Sequence, residues 1–104
     1  MDKNFKLFIK LINNEEYYEA HEVLEEVWFP NRKKSDPDTF LLKGFINASV
    51  SFELLKRGKK DQAIKVWKNY EKYIVYLDSC SPNNLKIFKD IKLILEKKHE
   101  QLLS

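Results

Sequence analysis

The stretch Gly44-Phe45-Ile46-Asn47-Ala48-Ser49-Val50-Ser51-Phe52 decides the architecture. It carries no charge, although 34% of the 104-residue chain is Asp, Glu, Lys or Arg. At about 100° per residue its apolar side chains point to every side of a helix, which marks a helix enclosed by neighbours. Gly44, Ala48, Ser49 and Ser51 are small, so an adjoining helix can approach closely. The run predicts the central post of an all-α protein. We expect a compact bundle of about five helices in which this apolar third helix, from Pro37 to Arg57, is surrounded by the others.

The flanks support that reading. Asp36-Pro37 looks like an N-cap followed by proline at the first helical position, and Gly58 closes the helix. Upstream, Asn31–Ser35 is a polar, basic loop, and Pro30 is expected to end the preceding helix by pushing the residue before it out of the α region. That second helix contains Tyr17–Trp28, and a first amphipathic helix from Asn4 to Ile12 precedes it. The first helix stops near Asn13-Asn14, where Asn tolerates a left-handed cap, so the two helices should form a tight corner or hairpin. Downstream, Asp61 is a candidate cap for a fourth helix running to about Asp78, with Ala63, Ile64, Trp67, Tyr70, Ile74 and Leu77 on its buried stripe. Ser81-Pro82 starts a fifth, whose apolar face is Leu85, Phe88, Ile91, Leu95 and Leu102. His99 near its end should be exposed and suited to the helix dipole. Residues 1–104 read as one domain.

Composition removes several classes. Hydrophobic residues make up 43% of the chain, and with only two glycines and three prolines it is neither disordered nor membrane-spanning. A net charge of +3 does not point to a nucleic-acid partner. Lys56-Arg57-Gly58-Lys59-Lys60 is the strongest basic cluster but lacks any phosphate-loop glycine pattern. The single cysteine, Cys80, excludes an intramolecular disulfide and suits a reducing compartment. Lysines interrupt the apolar run of the amino terminus, so it resembles neither a secretion signal nor a membrane span. These features read as a cytoplasmic protein.

The chemistry-bearing stretch is Tyr17–Trp28, YYEAHEVLEEVW. Tyr17, Ala20, Leu24, Val27 and Trp28 share an apolar stripe, with Val23 at its edge. Beside it Tyr18, His21, Glu22 and Glu25 form a second stripe, and His21 sits where the two meet. An imidazole and a carboxylate at i and i+4 can reach one ion, so His21 and Glu25 are candidate ligands for a divalent metal, with Glu53 as a third. The zinc-protease spacing fails because residue 25 is Glu, and the di-iron spacing fails because residue 18 is Tyr. An acid–base reading takes His21, Glu22 and Glu25 as catalytic candidates. A recognition reading takes Tyr18, His21, Glu22, Glu25 and Trp28 as a binding patch, joined by Asn47 of the third helix. The plainest alternative is a solvated helix face whose histidine bonds a carboxylate one turn away. In the same way Glu53 reads as a helix ion pair with Lys56 or Arg57, and Asn47 as a satisfied core amide.

Two blocks resemble the bacterial and archaeal family called "domain of unknown function 309". The first is matched at Tyr17, Tyr18, Glu19, His21, Glu22, Leu24, Glu25 and Trp28, and the second at Gly44, Phe45, Ile46, Arg57 and Ala63. The resemblance covers Tyr17 to Ala63. Asn47 replaces the usual glutamine, Glu53 and Leu54 occupy the region of the usual second histidine, and Lys59 and Gln62 replace the asparagine and glycine of the turn. The resemblance implies a small helical bundle with the two motif helices packed together, and it implies no reaction. It places the polar edge of the motif helix against the third helix near Asn47.

The leading expectation is therefore a small helical domain that binds a ligand or protein partner around His21, Glu22 and Glu25. One alternative is a metal-dependent hydrolase with His21 and Glu25 as ligands and Glu22 as general base, which needs a third ligand from Asn47, Glu53 or a subunit partner. Another is a scaffold whose motif residues only hold helices together. Homodimerisation is an expectation for a domain of this size rich in aromatics.

Overall fold

The computed structural model describes residues 2–103. Helices α1 (Asp2–Asn13), α2 (Tyr17–Asn31), α3 (Pro37–Lys56), α4 (Lys60–Ile74) and α5 (Pro82–Leu103) form the bundle, with a 3-10 segment at Val75–Ser79. No strand occurs among the described residues.

Helix α3 is the central post, packed against α2, α4, α5 and the 3-10 segment. Leu41, Phe45, Ala48, Ser49 and Phe52 are fully buried along it. Its ends follow the sequence signals. Asp36 Oδ1 accepts from the Thr39 backbone N–H at 2.8 Å, and Pro37 opens the first turn. Gly58 takes the left-handed conformation, φ 77°, that lets the Lys59 N–H donate back to the Leu54 carbonyl at 2.9 Å. Gly44 sets the approach of α4, because a Cβ there would lie 2.9 Å from Tyr73 Cβ. Ser51 Oγ donates to the Ala63 carbonyl at 2.7 Å across the same interface.

Helices α1 and α2 form an antiparallel hairpin in which Asn4 Nδ2 donates to the Val23 carbonyl at 3.0 Å. The left-handed residue of their turn is Glu15, φ 61°, rather than either asparagine. The reason is local bonding. The Glu16 N–H donates to the Leu11 carbonyl, and closing a helix this way puts the reversal on the residue just before that donor. Proline also acts later than expected, since α2 continues through Pro30 to Asn31. In the last turn proline forfeits one helical bond, and Asn31 Nδ2 donating to the Val27 carbonyl at 2.8 Å ties that turn down.

The carboxyl-terminal half departs further from its wheel. Helix α4 tightens into the 3-10 segment at Val75 instead of running to Asp78, and Asp61 lies in its first turn while Lys59 holds the cap position. Its buried side is only Ala63, Trp67 and Tyr70, leaving Ile64 exposed. On α5 full burial is confined to Phe88, Ile91 and Leu95, and Leu102 is exposed. The Phe88 ring meets Phe5 and Phe45 edge-on, at 5.2 and 5.5 Å between centroids, joining α1, α3 and α5. His99 is half-buried and stacked flat on Trp67, with centroids 3.7 Å apart. Burial lowers its pKa despite the charges of Glu71 and Glu96. The start of α5 is tied to α3 by Asp38, whose carboxylate accepts from Ser81 N, Ser81 Oγ and Asn84 Nδ2, each at 2.8 Å. No described helix is long and apolar enough to cross a membrane.

Candidate functional site

Helix spacing builds a pocket between α2 and α3. On α2, Tyr17, Tyr18 and His21 fall within about one turn, and on α3 and its C-cap, Val50, Glu53, Leu54 and Arg57 repeat at i, i+3, i+4 and i+7. These two faces enclose a cavity of about 250 Å³. Its walls combine aliphatic and aromatic surface with a few polar groups, a composition suited to small molecules.

The polar groups differ in how far they are satisfied. Glu53 Oε2 accepts from Arg57 Nε at 2.8 Å, the helix ion pair its spacing allows. His21 Nε2 lies 3.3 Å from Glu25 Oε1, and the imidazole leans on the Tyr18 ring at 5.9 Å. Tyr17 is the exception. Its residue is 2% exposed, and its Oη is the buried side-chain polar atom with no hydrogen-bond partner among the described residues. Burial pushes the phenol up to about 12, and the negative charges of Glu15 and Glu53 add to the rise. The hydroxyl therefore stays protonated and carries the cost of desolvation without a bond in return.

The structure sorts the sequence candidates. Tyr18 and His21 line the pocket together with Glu53. Glu25 reaches His21 from one turn further along, and Glu22 is exposed. Trp28 packs against the core instead of lining the pocket. Asn47 lies one turn before Val50 on α3 and is turned toward α4, where its Nδ2 donates to the Lys43 carbonyl at 2.8 Å and its Oδ1 accepts from Asn69 Nδ2 of α4 at 3.2 Å. The polar edge of α2 thus meets Glu53 rather than Asn47, which is bonded to Asn69 of α4. Among the described residues no three His, Cys, Asp or Glu side chains gather to hold a metal ion. His21, Glu25 and Glu53 do not form the ligand set that the hydrolase reading required. Cys80 is half-buried, and burial together with the Asp38 charge pushes its thiol up, the reverse of an activated nucleophile.

Sequence reasoning placed Tyr17 in the apolar stripe and passed over its hydroxyl. The available signal was chemical, since a tyrosine on a buried stripe brings a polar tip that needs a partner. A larger cavity of about 510 Å³ at the start of α3 is less promising. The carboxylates in its wall are already spent on backbone and side-chain bonds within the fold, Asp36 to Thr39 and Asp38 to Ser81 and Asn84.

The family profile "Domain of unknown function (DUF309)" matches residues 5–66, more than half of the chain. The chain belongs to this family. The match begins inside α1, earlier than the two motif blocks, and ends in the second turn of α4, so it contains every wall residue of the α2–α3 pocket. No curated protein and no solved structure matches the chain.

Proposed function

We propose that this domain is a binding module that recognises a small molecule in the α2–α3 pocket, with recognition rather than turnover as its task. The observation that supports this reading is the α2–α3 pocket itself, where the apolar surface of Tyr18, Val50 and Leu54 surrounds the polar groups of His21, Glu53 and Arg57. His21 and Glu53 supply polar contacts in the same wall, while Glu25 orients the imidazole. The metal-dependent alternative finds no cluster of three His, Cys, Asp or Glu side chains in its support among the described residues.

The reading is tested by nuclear magnetic resonance titration of the whole chain with indole and cyclohexanol. Amide shifts should centre on Tyr18, His21, Val50 and Leu54, and Val50→Phe, which fills the cavity, should abolish them. Shifts that persist in Val50→Phe, or that appear nowhere near the pocket in the wild type, refute the assignment.

A further inference from the structure

One side of the central helix stays open. Gly44 and Ser51 of α3 meet α4, and Glu53 and Arg57 meet α2 across the pocket. Between those two sides Lys43, Asn47, Val50 and Leu54 recur at i, i+4, i+7 and i+11, and none of the four is fully buried. We propose that this strip and the two helix edges beside it form the interface of a two-fold homodimer, in which α2 of each copy lies against α4 of the other.

Charge selects the occupant. The edge of α2 beside the strip carries Tyr18, Glu22 and Glu25, and the Glu25 side chain is 46% exposed. The edge of α4 carries Lys65, Asn69 and Lys72, all exposed, and Lys43 of the strip leans the same way, over the Tyr73 ring. Among the described residues no salt bridge engages Glu22, Lys43, Lys65 or Lys72. The opposing charges are placed elsewhere. Arg57 is bonded to Glu53, Asp61 lies in the first turn of α4, and Glu71 acts on His99 of α5. A macromolecule of one sign would be drawn to one edge and repelled by the other. A second copy presents both signs, and a two-fold axis along α3 sets each acidic edge over a basic one. An axis across α3 would set like over like.

The levels agree with that axis. Both flanking helices run antiparallel to α3, since Tyr17 meets Phe52 and Val27 shares a cavity with Leu42 on one side, while Ala63 meets Ser51 and Tyr73 meets Gly44 on the other. An axis parallel to α3 preserves height, so Glu22 comes opposite Lys65, and Glu25 opposite Asn69 and Lys72. Val50 and Leu54 then form an apolar centre inside a charged rim, the usual anatomy of an interface. The molecule spans 36 × 24 × 23 Å, enough on one face for the about 800 Å² per partner of a standard interface.

Sedimentation equilibrium of the full chain tests the proposal. At low ionic strength it should show two copies and no larger species, dissociating as salt screens the charges. Glu22→Lys with Glu25→Lys should weaken association about a hundredfold or more, as should Lys65→Glu with Lys72→Glu. All four changes in one chain exchange the edges and should restore the dimer. Glu19→Lys with Glu26→Lys makes the same change of charge on the α1 side of α2, where Glu26 meets Asn4, and should cost far less. A monomer at every salt concentration, assembly beyond two copies, or equal losses from the two α2 double variants overturns the proposal. A monomer that instead takes up a single-stranded oligonucleotide through Lys65 and Lys72 also overturns it and gives the basic edge to a polyanion. The pocket reading is decided by its own titrations in every case.

Discussion

Tyr17 of α2 and Tyr70 of α4 both bury their rings, at 2% and 1% exposure, and their hydroxyls have opposite fates. Tyr70 Oη donates to Glu96 Oε2 at 2.8 Å, and Glu96 is held in turn by Lys92 Nζ on its other oxygen at 3.2 Å. Burial and that bond raise the Tyr70 pKa even further than that of Tyr17. The α4–α5 side thus closes its polar groups among themselves, with Trp67 and His99 stacked beside them. The α2–α3 side carries a phenol of similar burial with no partner among the described residues. A satisfied network fixes helices in place, whereas an unsatisfied polar group costs desolvation without a bond in return.

The strongest test of this contrast removes what joins the two sides. The Phe52 ring meets Tyr17 edge-on at 5.3 Å and stacks near Trp67 at 5.8 Å. Phe52→Ala should cost about 3–5 kcal/mol in urea denaturation, the range for a buried aromatic replaced by a cavity. A loss below about 1 kcal/mol would show that the ring does not join the two regions. Next in size is the pair of hydroxyl deletions, which should differ in sign. Tyr70→Phe breaks a bond to a half-exposed carboxylate and should lose about 1.5 kcal/mol. Tyr17→Phe deletes an unpartnered group and should gain about 1 kcal/mol. Equal losses from both would erase the distinction.

The smallest effect concerns His99. Burial lowers its folded pKa below the ordinary 6.5, so the unfolded chain takes up the proton at higher pH than the folded one. Its contribution is complete above 6.5 and is lost as pH falls through the folded value. Denaturation midpoints of wild type and His99→Phe should therefore diverge on acidification, with wild type losing more. Parallel pH profiles would remove His99 from the account.

Much of the architecture could be read from residue order. A charge-free run with apolar residues all round identified the central helix, and Asp36-Pro37 and Gly58 located its ends, because caps and enclosure are local properties. The errors about the site share one cause, which is that a helical wheel names a face but not its neighbour. Asn47 and Glu53 both looked able to reach His21, and only the packing of α4 against one side of α3 assigned Asn47 to Asn69. His99 looked exposed among lysines and glutamates until Trp67 of another helix covered its ring. The Tyr17 hydroxyl was invisible for a related reason, since whether a buried polar atom is bonded depends on every element around it.

Asp38 carries a consequence for what can be inherited or excised as a piece. It sits in the first turn of α3, inside the family-matched segment 5–66, while its three donors lie on Ser81 and Asn84 beyond that segment. Phe5 and Phe45 are divided from Phe88 by the same boundary. The span recognisable by descent is therefore smaller than the unit that folds. A fragment cut at residue 66 would leave one carboxylate without its donors and two phenyl rings facing water, so α5 completes the structure even though the family profile does not extend to it.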